Sequence, residues 1–287
     1  MRIALFLALA SAACCSAWCQ AWQPNIVNAQ FQTRAYSDDL KRQLRADHPT
    51  WFGYAVKAAS KNSQSCCWNG GGQCGCSLEG DGRSTGVHVS SNSPVLLEGS
   101  NALAILVRVS NNTVEKVQAY SPSCTLDAGG LAFVWLTGVP QDASVSFLQK
   151  LLTSGSSNRN QDGALFALSQ HDGSHALDSL IEMARQSASP HLREQALFWL
   201  AQRAGERATA TITNAIENDP DGEVKKKAVF ALYQLPKDEG VPKLIDVART
   251  QRNPEVRKQA FFWLGQSRDP RAFAFIQEVL APGALAK

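Results

Sequence analysis

From residue 164 onward one pattern of apolar and polar positions recurs at a fixed interval. The segments Ala164-Leu-Phe-Ala-Leu-Ser-Gln170, Ala196-Leu-Phe-Trp-Leu-Ala-Gln202, Ala228-Val-Phe-Ala-Leu-Tyr-Gln234 and Ala260-Phe-Phe-Trp-Leu-Gly-Gln266 begin 32 residues apart. Phe166, Phe198, Phe230 and Phe262 fall in register, as do Leu168, Leu200, Leu232 and Leu264, and as do Gln170, Gln202, Gln234 and Gln266. Self-similarity at such a period marks a stacked array of small structural units. A second apolar group follows in each unit: Leu180, Ile181, Met183 and Ala184; Ile212, Ala215 and Ile216; Leu244, Ile245, Val247 and Ala248; Ile276, Val279 and Leu280. Their i, i+1, i+3, i+4 spacing puts them on one helical face. Ser189-Pro190, Asp219-Pro220-Asp221-Gly222 and Asn253-Pro254 separate the units. Ser, Asp or Asn there suits a helix cap, and Pro suits the first helical turn.

Each unit is therefore a helical hairpin, and hairpins of this kind must stack to bury their apolar faces. Counting back 32 positions from Leu180 and Met183 gives Leu148 and Leu151, so residues 142–152 form the second helix of an incomplete first unit. The Phe and Leu ladders are expected in the core. Trp199 and Trp263 alternate with Ala167 and Ala231 at one repeat position. They are expected to pack between repeats, with a surface aromatic anchor as the alternative. The glutamines are expected to hydrogen-bond last-turn carbonyls or nearby loops. A partner-facing role is the alternative for Gln202, Gln234 and Gln266. These three and the two tryptophans are the candidate partner surface.

Residues 22–140 follow a strand pattern instead. Apolar and β-branched runs fall at 51–58, 87–89, 95–98, 102–109, 114–120 and 131–136, with Ser110-Asn111-Asn112 as a hairpin turn. A short helix with an acidic start is expected from Asp38. The Asn69-Gly-Gly-Gly-Gln73 stretch lacks the Lys and the strand–loop–helix setting of a phosphate loop.

The first 21 residues differ again. Arg2 precedes an apolar run, Ile3–Ala10, and then small residues. This is the layout of an export signal, with cleavage expected after Ala21 and Ala17 or Ala12 as alternatives. The run is too short to span a bilayer. Ser11-Ala12-Ala13-Cys14 lacks the Leu that usually opens a lipid-attachment box, so export without a lipid anchor is expected, to the periplasm or beyond, with no membrane span. Three of the eight cysteines lie in this leader, and Cys66, Cys67, Cys74, Cys76 and Cys124 remain. In an oxidising compartment they suggest disulfides. One of Cys66/Cys67 is expected to pair with one of Cys74/Cys76, and a second bridge is expected to tie the cluster to Cys124. Four thiolates holding zinc, or Cys74-Gly75-Cys76 as a redox dithiol, are the competing readings.

Composition narrows the function. The chain of 287 residues is 44% hydrophobic and 18% charged, which fits a globular protein, and its net charge of +3 is spread without a basic stripe, so nucleic acid is not an expected partner. His171 and His175 stand i, i+4, but the Asp172-Gly173-Ser174 between them marks a turn rather than one metal-binding helix face. Lys225-Lys226-Lys227 is a solvated helix start. No nucleophile, base and oxyanion donor come together, so no catalytic residue, metal site or cofactor is assigned.

Arg193-x-x-Ala196, Lys225-x-x-Ala228 and Arg257-x-x-Ala260, following turns of the Asn253-Pro-Glu-Val-Arg257 type, resemble the short HEAT-like repeats of bilin-lyase relatives and many bacterial proteins. The resemblance covers about half the chain. That group also includes a hypusine-pathway hydroxylase with iron-binding His-Glu pairs. Here none of His48, His88, His171, His175 and His191 is followed by Glu, so that chemistry does not carry over. Trp51-Phe-Gly-Tyr-Ala-Val with Cys66-Cys67 and Ser123-Cys-Thr-Leu-Asp-Ala-Gly-Gly130 is similar to the leading segment of exported bacterial HEAT-repeat proteins. The expected chain is α+β and multidomain. An export signal (1–21) precedes a small antiparallel, disulfide-stapled β-rich domain (22–140) and a HEAT-like α-solenoid of period 32 (141–287). Its expected role is to bind a protein partner as a scaffold. A thiol–disulfide or lyase-like enzyme is the alternative.

Overall fold

The structure, a computed structural model, describes residues 25–59, 66, 75–80, 102–121, 124–154, 157–203 and 205–281. The expected leader, Cys67, Cys74 and the strands expected at 87–89 and 95–98 lie outside the described residues. A β-rich region over 25–137 is followed by a run of helices over 141–280.

The β region holds β1 (Asn25–Val27), β2 (Gln30–Ala35), α1 (Leu40–Gln43), β3 (Thr50–Lys57), β4 (Gly75–Ser77), β5 (Ala102–Ser110), β6 (Thr113–Tyr120), β7 (Thr125–Asp127) and β8 (Ala132–Thr137). The main sheet has the order β2-β8-β3-β5-β6, and β1-β7-β4 form a second, parallel sheet. Strands β3, β5 and β6 pair antiparallel, and β5 and β6 form the expected hairpin, turning at Asn111 and Asn112, both with positive φ. The sheet as a whole is mixed rather than antiparallel, because β8 runs parallel to both its neighbours. The reason lies in the side chains of β8. Phe133, Val134, Trp135 and Leu136 are all buried, and a strand apolar on both faces needs cover on both sides. The exposed β2 is left at the edge.

Alternation along the strands sorts two cores. Phe52, Tyr54, Val56, Ile105, Val107, Val134 and Leu136 face the helices. Trp51, Ala104, Leu106, Phe133 and Trp135 face the small sheet, together with Cys76, Cys124 and Leu126. A Cβ at Gly53 would lie 2.8 Å from the Trp135 ring, so the indole occupies that side-chain position.

The helices are α2 (Gln141–Thr153), α3 (Asn158–Gln170), α4 (Ser174–Gln186), α5 (Pro190–Arg203), α6 (Glu206–Asn218), α7 (Gly222–Gln234), α8 (Lys237–Thr250), α9 (Pro254–Gln266) and α10 (Pro270–Leu280). Helices α3, α5, α7 and α9 form one layer, and α4, α6, α8 and α10 form the other. Helix α2 supplies the expected half-unit. Asp221, Asn253 and Asp269 cap α7, α9 and α10 by accepting from backbone N–H groups of the first turn. The Leu ladder is buried as expected, with Ala164, Ala196, Ala228 and Ala260 beside it. The Phe ladder is not core. Phe166, Phe198 and Phe230 are half-buried, and Phe262 is 53% exposed. Two residues along a helix is a rotation of about 200°. With Leu inward, Phe must lie on the opposite side.

The two regions are spliced together. Beyond the sheet, Ala58 bridges to His171 in the turn after α3. The Ala59 N–H donates to the Gln170 carbonyl at 2.8 Å, and the Asp172 N–H donates to the Lys57 carbonyl at 3.0 Å. The Gln141 amide accepts from the Lys57 N–H and donates to the Lys57 and Asp172 carbonyls, each at 3.0 Å. Lys57 Nζ pairs with Asp172 at 2.7 Å. Behind this seam runs a fully buried chain. Tyr54 Oη donates to Ser144 Oγ (2.9 Å), Ser144 Oγ donates to His171 Nε2 (2.8 Å) and His171 Nδ1 donates to the Ala167 carbonyl (2.7 Å). The direction follows from the last link, since a carbonyl can only accept. Helix α3 also lies directly on β6: a Cβ at Gly163 would come 2.1 Å from the Val117 carbonyl oxygen. One apolar core runs from Leu40 through to Phe275, so the change of secondary structure near residue 140 is not a break in packing.

Burial holds the His171 imidazole down to about pKa 4, so it is neutral in the folded protein. An ordinary histidine in the unfolded chain titrates near 6.5. The unfolded chain therefore takes up a proton first as pH falls, and stability that is complete above pH 6.5 is lost towards pH 4. We predict about 2 kcal/mol less stability at pH 5 than at pH 7.5 in urea titrations. In His171→Gln most of that difference should vanish. An unchanged pH slope in the variant would contradict the assignment.

Candidate interaction surface and cysteine cluster

On each of α3, α5, α7 and α9 the Phe and the Gln stand i, i+4, one above the other on the side away from the Leu ladder. The tryptophans link the rungs. Phe166 and Trp199 have ring centroids 5.1 Å apart, Trp199 and Phe198 4.9 Å, and Phe198 and Phe230 6.4 Å. Phe230 and Trp263 follow at 4.8 Å, Trp263 and Tyr233 at 4.7 Å, and Phe262 and Trp263 at 4.9 Å. The tryptophans thus pack between repeats, as expected, and also remain half-exposed within a continuous aromatic strip. At the far end of the array, Phe273 (64%) and Leu280 (77%) are exposed as well. Trp263 Nε1 is enclosed without a hydrogen-bond partner among the described residues.

The glutamines behave differently from expectation. Gln170 donates to Ser169 Oγ at 3.1 Å, whereas Gln202, Gln234 and Gln266 are exposed. At the ends of α3, α7 and α9, carbonyls beside the glutamines have other partners. Arg203 Nη1 donates to the Ser169 and His171 carbonyls at 3.1 and 2.6 Å, the Leu235 N–H donates to the Leu232 carbonyl, and Ser267 Oγ donates to the Leu264 carbonyl. Two clefts open at the C-terminal ends of these helices, and Gln202 lines both. One, about 240 Å³, lies between Gln170, Trp199 and Arg203. The other, about 490 Å³, lies between Tyr233, Gln234 and Lys237. Sequence reasoning picked out Trp199, Gln202 and Gln234 but missed Tyr233, Arg203 and Lys237. Tyr233 had a visible signal, since Ser169, Ala201 and Gly265 hold the same repeat position.

The basic repeat position is structural. Arg193 Nη1 donates to the Ser187 carbonyl (2.9 Å), Lys225 Nζ to that of Glu217 (2.7 Å) and Arg257 Nη1 to that of Gln251 (2.8 Å). Each cation closes the C-terminal end of the preceding helix, where carbonyls lack partners and the dipole is negative. Arg193 also forms a buried, bidentate pair with Asp219 at 2.8 and 2.9 Å. His171 and His175 serve different partners, because His171 is bound in the buried chain and His175 meets Asp142 at 3.0 Å. Lys226 pairs with Glu223 on the surface.

In the second core Cys66 and Cys124 are bridged, with sulfurs 2.16 Å apart, and Cys76 is also disulfide-bonded. Cys76 Sγ lies 3.7 Å from Cys124 Sγ. These three form the one group among the described residues whose ligand atoms converge as a metal site would require, within 4.8 Å of one another. Bridged sulfurs are not the thiolates that zinc takes.

With this geometry in place, comparison with known proteins locates the class. Residues 177–265 and 209–283 match the model of HEAT repeats, and the run of helices over 141–280 is consistent with a HEAT solenoid. No curated protein matches the chain. Among solved structures it is similar to human deoxyhypusine hydroxylase in complex with glycerol, with 22% identity, a TM-score of 0.36 and coverage of 43% of each chain. It is also similar to the complex of CpcE and CpcF of phycocyanin lyase from Nostoc sp. PCC7120, with 18% identity, a TM-score of 0.38 and coverage of 49% of this chain and 91% of that one. The chain spans less than half the length of the hydroxylase, and likeness at this level assigns no activity.

Removing one partner of a buried ion pair strands the other charge. Arg193→Met should therefore cost about 3–5 kcal/mol in urea unfolding. Adding Asp219→Leu should restore most of the loss. A double variant no more stable than the single would show that the pair is not the source.

Proposed function

We propose that this protein is an exported interaction scaffold that holds a protein partner along the aromatic–glutamine face of its HEAT array. The observation that carries the reading is the strip itself. Aromatic side chains stand in repeat register on α3, α5, α7 and α9, half-exposed, and Phe262 is the most exposed of them. Aromatic residues dominate binding energy at protein interfaces, and contiguous exposed apolar surface on a folded protein marks interaction sites. Solenoids present extended surfaces of this kind. The leader-like first 21 residues and the bridged cysteines support an oxidising, extracytoplasmic address. No described helix is long and apolar enough to cross a membrane.

Thiol–disulfide chemistry is the weaker reading. Cys76 and Cys124 are buried, and exchange with another protein requires an accessible sulfur. In the chain-entropy view, a bridge closing 58 residues stabilises the fold by about 4 kcal/mol. The cluster thus serves as a staple.

Phe262→Ser tests the face. The side chain is exposed, so stability should change by no more than about 0.5 kcal/mol. Tagged wild type and variant are compared on the same envelope extract. A partner retained by wild type should be lost from the variant, in line with the roughly 2 kcal/mol or more that an aromatic anchor contributes. The same proteins on both, in equal amounts, would place the partner elsewhere.

A further inference from the structure

We propose that the open end of the array, the face of α10 carrying Phe273, Ile276 and Leu280, docks onto the same face of a second copy of this chain, helix against antiparallel helix. The proposal concerns the last helix rather than the aromatic–glutamine strip, and it goes beyond the reading above. Its first ground is a comparison along the repeat. Val241, Leu244 and Ala248 hold the same three positions one unit earlier, and Thr209, Ile212 and Ile216 hold them two units earlier. All six are buried. At the last unit Phe273 is 64% and Leu280 77% exposed, and Ile276 is half-buried. A terminal unit of a solenoid ordinarily turns a polar face outward. Here the stripe at i, i+3 and i+7 is apolar, which is the spacing of a helix–helix seam.

Closure is the second ground. The other end of the array is covered, because β6 lies on α3 with the Val117 carbonyl oxygen where a Gly163 side chain would be. Copies therefore cannot stack head to tail through their ends, whereas a same-end contact closes with two copies.

Self-complementarity is the third ground. A two-fold axis between Ile276 and Gln277 sets Phe273 of each copy against Leu280 of the other, since both lie three and a half positions from that midpoint. No side chain from Ala272 to Gln277 is ionisable. The flanking charges are paired within each copy, Arg271 with Asp269 at 2.9 Å and Glu278 with Arg249 at 2.8 Å. Beside Phe273 a groove of about 430 Å³, walled by Leu264, Gly265 and Ile276, has room for the incoming leucine. Gly265 stands where Tyr233 stands one unit earlier, and a Cβ there would meet nothing within 4 Å. Arg268 also lines the groove, and an antiparallel partner sets it near the C-terminal end of the facing helix, whose dipole favours a cation.

The area sets the strength. A phenylalanine side chain carries about 150–250 Å², so Phe273 alone offers roughly 130 Å². With Leu280, Ile276 and the groove walls the contact buries on the order of 1,000 Å² in total, the low end of specific interfaces. A dimer that dissociates in the micromolar range is expected.

Sedimentation equilibrium on the full chain between about 1 and 200 µM tests this, a range that brackets the affinity expected from such an area. The weight-average mass should climb from one chain towards two. Phe273→Lys and Leu280→Glu should each raise the dissociation constant at least tenfold. An equimolar mixture of the two variants should return it to within threefold of wild type, because one lysine then meets one glutamate and the other Phe–Leu contact is intact. Both side chains are exposed, and circular dichroism confirms that each variant is folded. A wild-type chain that stays monomeric, as it would if residues 282–287 or a different protein took the face, would overturn the proposal. So would a dimer indifferent to both substitutions, or a mixture that stays as dissociated as its components. The partner reading stands or falls separately, on the Phe262→Ser comparison.

Discussion

The end of β3 is hydrogen-bonded to the turn that follows α3, and the position of every later helix follows from that seam. A helical array is close to one-dimensional, because each unit touches only its neighbours and inherits its orientation from the unit before. The first unit therefore needs an anchor. Here the seam between Lys57–Ala59 and Gln170–Asp172 supplies the anchor, with the Tyr54–Ser144–His171 chain behind it. Tyr54, Ser144 and His171 are buried, so each polar group of that chain is costly unless paired, and their pairing fixes the geometry. Val117 and Gly163 then bring α3 against β6, so the sheet covers the end of the array that would otherwise expose an apolar face.

From that start the repeat composes both an interior and a surface. Leu and Ala positions fill the space between helices, and the basic residue at 193, 225 and 257 closes the turn before it. With those positions committed inward, Phe and Gln of the same helices can only lie outward. The aromatic strip and the glutamine rungs thus share the register that stacks the core.

Much of this was legible from periodicity alone. The helices, the half-unit at α2, the capping turns and the buried Leu ladder follow from a 32-residue pattern that local physics enforces. The Phe ladder was misplaced because hydrophobicity was weighed without the angle between Phe and Leu on one helix. Strand β8 was recognised, but not its central position, which depends on what covers it on both sides. His171 drew notice only for its spacing to His175 and Ser144 drew none, since their role exists only where α2 and α3 meet β3. The glutamines were seen as a ladder, but whether they bond the last-turn carbonyls depends on competing partners, such as Ser267 at the Leu264 carbonyl beside Gln266. Cys124 was expected to join the cluster, and the structure bonds it to Cys66.

The central claim is that sheet and array form one cooperative unit, so that the outward face is held by the seam at its base. Native-state hydrogen exchange at rising denaturant, read by mass spectrometry on the full chain, tests this most directly. The account predicts that the slowest amides of β3 and β8 open with the same free energy as those of α3 and α5, and with the same denaturant dependence. Separate opening, with the array exchanging at low denaturant while the sheet stays closed, would contradict it.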